Sequence, residues 1–167
     1  MQLRPTVAAL SAIVAGANAR IYGIALPETI KAGDEVTAII ASSNYIQSVY
    51  DVAIAFGIAP AAASFPDSMG AVLDSFYLGP GMHKQPSNPH RLGSLIRSFE
   101  IDKSNSLKNL TEAITFPDNL EDGDYIVSAS LMSLYGASSV PTLTPYNVTI
   151  SVGDETTEDY VSSWQQD

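Results

Sequence analysis

Two histidines, a scatter of carboxylates and no cysteine are the raw material for chemistry in this 167-residue chain. His83 and His90 share one proline-rich stretch, Gly79 to His90 (GPGMHKQPSNPH), with no carboxylate between them and no thiolate to complete a transition-metal set. Two exposed loop histidines are the expectation. Asp118, Glu121, Asp122 and Asp124 are near enough in sequence to gather around calcium, but they lack the ordered oxygen spacing and bidentate glutamate of a calcium loop. There is no G-x-S-x-G elbow, phosphate loop or H-E-x-x-H helix. Glycoside cleavage needs two carboxylates roughly 5 to 9 Å apart in a cleft. The candidates Asp51, Asp74, Glu100 and Asp102 fall at strand ends or turns, where solvated acids are the ordinary outcome. The one tryptophan, Trp164, lies near the C-terminus and makes a poor platform for polysaccharide; among the tyrosines, alternation makes Tyr50 a core residue. The expectation is a protein that is not an enzyme and holds no cofactor or metal.

The elements that must position these residues are short strands. Period-two alternation puts Tyr50, Val52, Ile54 and Phe56 on one face with Asp51, Ala53, Ala55 and Gly57 on the other. Tyr146, Val148, Ile150 and Val152 alternate with Asn147, Thr149, Ser151 and Gly153 in the same way. Further strands are predicted over Ile21–Leu26, Glu35–Ala41, Val72–Leu78, Leu92–Ile101, Thr111–Phe116 and Tyr125–Leu134, separated by Lys31-Ala32-Gly33-Asp34, Gly79-Pro80-Gly81 and Glu121-Asp122-Gly123-Asp124. Pro60 and Pro66 restrict any helix in the alanine-rich Ile58 to Ser64 to a turn. About eight strands in one domain predict an all-β, antiparallel sandwich of the immunoglobulin or fibronectin III type. Gly123 followed by Asp124 and Tyr125 suggests a tyrosine corner, with the Tyr125 phenol bonded to backbone across the end of the sandwich.

Three segments follow from composition. Residues 1–19 combine a short positive start (MQLR), an apolar stretch from Pro5 to Gly16 and the small-x-small Ala17-Asn18-Ala19, the form of a cleaved signal peptide. The mature chain is expected to begin at Arg20, the sandwich to occupy 20–152, and 153–167 to be an acidic, flexible tail with five acids and no base. No window reaches the roughly 18 apolar residues of a membrane helix, so no membrane insertion is expected. A net charge of −10 disfavours nucleic acid and anionic lipid. A secreted chain of this length can bury a core without disulfides. The sequons Asn109-Leu110-Thr111 and Asn147-Val148-Thr149 fit a eukaryotic secretory route and make Asn109 and Asn147 glycosylation candidates, the second on a solvent face.

Two resemblances add to this reading. Gly123 to Ala137 (GDYIVSASLMSLYGA) resembles the late strand of fungal lytic polysaccharide monooxygenases, which are sandwiches. Those copper enzymes carry a histidine as the first mature residue, and Arg20 stands there instead, so this resemblance implies the fold without the oxidation chemistry. A wider one covers nearly the whole mature chain. Arg20 to Ile24 (RIYGI), Asn44 to Pro60 (NYIQSVYDVAIAFGIAP), the GPG loop and Asp122-Gly123-Asp124-Tyr125 resemble the necrosis-inducing secreted protein family of filamentous fungi. It implies a small secreted effector that enters or contacts plant cells, binds protein kinases associated with immune receptors, suppresses pattern-triggered immunity and provokes cell death. A carbohydrate- or cell-wall-binding module without catalysis is the alternative. For a protein partner the exposed anchors are Met82, His83, Lys84, Pro86 and Pro89 in the proline-rich loop, and Tyr160 and Trp164 in the tail. The loop is the better expectation, since prolines and two anchoring strands lower the ordering entropy that a free tail loses on docking. The chain is expected to act as a monomer.

Overall fold

The computed structural model describes residues 18–65, 67–79 and 109–164. In chain order the strands are β1 (Asn18–Pro27), β2 (Thr29–Lys31), β3 (Glu35–Tyr45), β4 (Val49–Pro60), β5 (Ala71–Tyr77), β6 (Leu110–Thr115), β7 (Gly123–Tyr135), β8 (Val140–Gly153) and β9 (Tyr160–Ser162). The alanine-rich stretch supplies a single 3-10 turn, Ala61–Ala63. The strands form a four-stranded sheet of order β6-β3-β1-β9 and a five-stranded sheet of order β2-β8-β7-β4-β5. This is the two-sheet sandwich that the alternation predicts.

The core follows from the inward positions of each strand. Ile24 and Leu26 of β1, Ile40 of β3, Ile54 and Phe56 of β4, Ile114 of β6, Val127 and Leu131 of β7, and Val148 and Ile150 of β8 are fully buried between the sheets. Each contributes about 1.5–3 kcal/mol on leaving water, which is how a cysteine-free fold holds together. Phe56 meets Phe76 of β5 edge to face, with centroids 6.0 Å apart. In the Lys31-Ala32-Gly33-Asp34 turn, Gly33 takes φ +85° while Asp34 N–H donates to Lys31 O at 3.1 Å. A residue with a Cβ would be strained there.

Four expectations need correction. The sheets are not wholly antiparallel, because β2 runs parallel to β8. The chain leaves β1 at Pro27 and enters the other sheet at Thr29, and the intervening Glu28 carbonyl accepts from Ser151 N–H at 2.9 Å. Tyr50 is not a core residue. Its hydroxyl lies 3.3 Å from that of Tyr77 near the exposed edge, and that hydrogen bond, more than burial, raises its pKa. The tyrosine corner is not seen among the described residues, where Tyr125 packs in the core. The phenol-to-backbone tie between the sheets belongs to Tyr146, whose hydroxyl donates to Ile21 O at 2.9 Å. Finally, the C-terminal segment is not a free tail, since β9 pairs with β1 through Tyr160↔Pro27, Leu26↔Val161 and Ala25↔Ser162. The predicted strand Leu92–Ile101 lies outside the described residues.

Candidate functional site

A bulge in β4 decides which side chains meet at one end of the sandwich. The β4–β7 register shifts between Asp51 and Ala53. One extra residue inverts the alternation on the far side of the bulge, so Asp51 turns inward where Tyr50 was expected. The buried Ser133 Oγ donates to Asp51 Oδ1 at 2.6 Å, and backbone of Ile21 also hydrogen-bonds the carboxylate. Burial raises the Asp51 pKa, while Ser133, Ile21 and the charge of Arg20 pull it back. Burial also pushes the neighbouring Tyr146 phenol up to about 12, against the lowering effect of Arg20. It therefore stays protonated and donating at neutral pH.

Arg20 closes this cluster from β1. Its guanidinium carbon lies 5.5 Å from the Tyr45 ring centroid and 5.8 Å from that of Tyr135, and the two rings meet edge to face at 6.3 Å. Its buried Nε has no hydrogen-bond partner among the described residues. The cation is held by the faces of two tyrosines, a contact of about 0.5–2 kcal/mol. The arrangement ties the start of β1 to the opposite sheet. Sequence reasoning missed it because alternation carries no mark of a bulge.

Of the side chains weighed for catalysis or metal binding, Asp51, Asp74, Asp118, Glu121, Asp122 and Asp124 fall among the described residues. Asp74 lies opposite Phe56, five residues along β4 from Asp51, roughly 16 Å at strand spacing and beyond the separation of a glycosidase pair. Glu100, Asp102, His83 and His90 lie outside the described residues. Asp124 Oδ1 accepts from Ser151 Oγ at 3.0 Å, and no group of three or more His, Cys, Asp or Glu that could hold a metal occurs among the described residues. None of the helices there is long and apolar enough to cross a membrane.

Of the expected partner-binding residues, the structure places Tyr160 and Trp164; Met82, His83, Lys84, Pro86 and Pro89 lie outside the described residues. Residues 154–164 are fastened along the sheet edge. Lys31 N–H donates to Thr156 Oγ1 at 3.0 Å, Thr156 Oγ1 donates to Asp34 Oδ2 at 2.7 Å, and Glu28 N–H donates to Asp159 O at 2.8 Å. Ile24 N–H donates to Ser163 Oγ at 3.0 Å, and Ser163 N–H returns a bond to Ile24 O at 2.9 Å. Trp164 packs beside the bare backbone of Gly23 and against the Tyr22 ring, centroids 5.3 Å apart. The Tyr160 hydroxyl reaches Thr37 O at 3.1 Å. Composition reads this segment as flexible because its acids face water, but its hydroxyl side chains satisfy backbone donors of β1 and β2. Tyr22, Tyr160 and Trp164 remain 41, 39 and 40% exposed, beside the exposed Asp154, Glu155, Glu158 and Asp159. The segment thus presents preordered, partly exposed aromatic side chains, Trp164 against Tyr22 and Tyr160 over Thr37, in one stretch with exposed acids.

Both sequon asparagines are exposed. Asn147 points outward from β8, and Asn109, just before β6, accepts from Ser42 N–H at 3.3 Å.

These features define a cysteine-free two-sheet sandwich sealed by its own C-terminal segment. The model of the Nis1 family matches residues 17–91 and 81–151. The chain is 52% identical over 163 residues to Necrosis-inducing secreted protein 1 of Colletotrichum higginsianum, covering 98% of this chain and 99% of the relative. It is 48% identical over 163 residues to the protein of the same name from Colletotrichum orbiculare, covering 98% and 88%. Among solved structures it is similar to a cellulose-active polysaccharide monooxygenase from M. thermophila, with a TM-score of 0.43 and 21% identity over 79% of this chain and 56% of that one. The chain belongs to the Nis1 family.

Proposed function

We propose that this chain is a secreted fungal effector that induces necrosis in plant tissue and acts by contact, as a monomer, on protein kinases associated with plant immune receptors, suppressing pattern-triggered immunity. The observation that carries the reading is the 52% identity to a necrosis-inducing secreted protein along nearly the full length of both chains.

The contact mode draws support from the aromatic surface. Trp and Tyr anchors in a water-excluding patch give affinity, and a charge of −10 steers the chain toward basic surfaces. The docked C-terminal segment also removes the entropic reason for preferring the proline-rich loop, because Tyr160 and Trp164 are already ordered. Binding of the exported protein to a recombinant receptor-associated kinase domain tests this. Tyr160→Ala with Trp164→Ala is expected to weaken binding at least about tenfold. Replacement of Met82 to Pro89 by a Gly/Ser linker serves as the competing variant. Normal binding by the double variant and loss with the linker would move the contact to the loop. Retention on chitin or glucan with no kinase binding would replace the proposal with a wall-binding module.

A further inference from the structure

Among the described residues, β8 has an open side. Its register with β7 runs unbroken from Gly123↔Val152 to Tyr135↔Val140, whereas β2 covers only Ser151 to Gly153 on the other flank. Ser151 N–H points to that flank, since it donates to Glu28 O. Residues two apart in a strand direct their backbone groups to the same side, so Pro141, Leu143, Pro145, Asn147 and Thr149 face the open flank. The two prolines fit this assignment, because neither could donate into the β7 ladder. Leu143, Asn147 and Thr149 thus leave three donors without a strand partner among the described residues.

Such an edge invites pairing with another chain, and proteins blunt it with charge, proline or a cover. From Val140 to Val152 there is no charged residue. Part of the outer face beside the edge is apolar: Leu143 is 70% exposed and sits opposite Met132, itself exposed. Prolines protect the part of the edge up to residue 145, and among the described residues nothing of that kind protects Asn147 to Thr149. That unprotected part is the sequon Asn147-Val148-Thr149, with Val148 in the core and both Asn147 and Thr149 exposed.

We infer that Asn147 carries an N-linked glycan whose structural role is to cover the open edge of β8 in place of a neighbouring strand. A glycan is bulky, solubilising and unable to extend a backbone ladder. Asn109 has no such task, because it precedes its strand and its carboxamide already accepts from Ser42 N–H. The inference rests on export through a glycosylating route and not on kinase contact.

The test is the full chain exported from a yeast host, analysed by peptide mass mapping before and after endoglycosidase treatment, then by light scattering over a concentration series. Glycan mass is expected on Asn147 in the wild type and in Thr149→Ser, and its loss in Asn147→Gln and Thr149→Ala. Both glycan-free variants are expected to self-associate at a concentration about tenfold or more below the wild type, and Asn109→Gln is expected not to. If the variants fail to leave the cell, enzymatic deglycosylation of the folded wild type gives the same comparison. An exported wild type with unmodified Asn147, or a deglycosylated protein as monomeric as the parent, overturns the inference while leaving the family reading intact.

Discussion

Gly23→Ala adds one methyl group at the seam between β1 and the C-terminal segment. A Cβ built there lies 2.6 Å from Ser163 Oγ and 2.6 Å from Trp164 Cε3, so the segment must move outward to restore ordinary contact. Gly23 is not among the glycines with positive φ, so the effect is steric and not backbone strain. The shift breaks the bond from Ile24 N–H to Ser163 Oγ and separates Trp164 from Tyr22. An unmatched half-buried donor costs about 1–3 kcal/mol, and an aromatic pair is worth about 0.5–1.5 kcal/mol. Against this, alanine recovers about 0.5–1 kcal/mol of strand entropy. The expected net loss is about 0.5–4 kcal/mol.

Trp164 is the one tryptophan, so its fluorescence reports this seam alone. The native emission of Gly23→Ala is expected to shift to the red, with a lower denaturation midpoint. In a Trp164→Ala background the same methyl meets only Ser163, and the two substitutions should couple by about 0.5 kcal/mol or more. Unchanged emission together with additive midpoints would refute the docking of the segment.

Other outcomes follow from the same geometry. Tyr146→Phe orphans the Ile21 carbonyl and is expected to cost about 1–3 kcal/mol, while Tyr125→Phe should stay within about 0.5 kcal/mol, both read from urea midpoints. Asp51 binds its proton more tightly folded than unfolded, so its contribution is fully present below the ordinary carboxylate pKa and is lost as pH rises through the raised value. Asp51→Asn should therefore gain on the wild type between about pH 4 and pH 7; a constant difference would contradict the burial. Ile54→Asp places a charge among fully buried side chains and should prevent folding; a soluble folded product would mean that β4 faces the other way. N-terminal sequencing of exported protein should begin at Arg20, and retention of Met1 would exclude cleavage after Ala19.

What was legible in the sequence is what alternation controls. The inward sets Ile54 and Phe56, and Val148, Ile150 and Val152, follow directly from a period of two, and so does the exposure of Asn147. The Tyr50 face failed because an inserted residue inverts the period without altering local composition. β2 escaped notice because three residues are too few to show a pattern, and β9 because its acidic surroundings read as a flexible segment. The tyrosine tie was anticipated in kind but placed on the wrong strand. Asp124 and Gly123 before Tyr125 imitate a corner, whereas the geometry that matters, a phenol facing β1 across the sandwich, belongs to Tyr146. For the residues expected to meet a partner, sequence could name exposed aromatics but not that Trp164 is held against Tyr22, a contact between residues 142 positions apart.

These departures converge on β1. Arg20 is clamped by Tyr45 and Tyr135, the Ile21 carbonyl holds Tyr146, Tyr22 and Gly23 receive Trp164, and Ile24 exchanges two bonds with Ser163. One strand therefore joins its own sheet, the opposite sheet and the C-terminal segment. Cleavage after Ala19 would remove the pairs Asn18↔Tyr45 and Ala19↔Asn44 and leave the ladder to start at Arg20↔Ser43. A strand beginning at its first residue normally frays. Arg20 is held between two aromatic rings and near a half-buried carboxylate, so after such cleavage the clamp would do at the new end of β1 what further ladder bonds do in a longer strand. The aromatic surface depends on this, because Trp164 rests on residues only two and three positions beyond Arg20. Loosening of Arg20 would reach this surface through β1 without touching Tyr22, Tyr160 or Trp164.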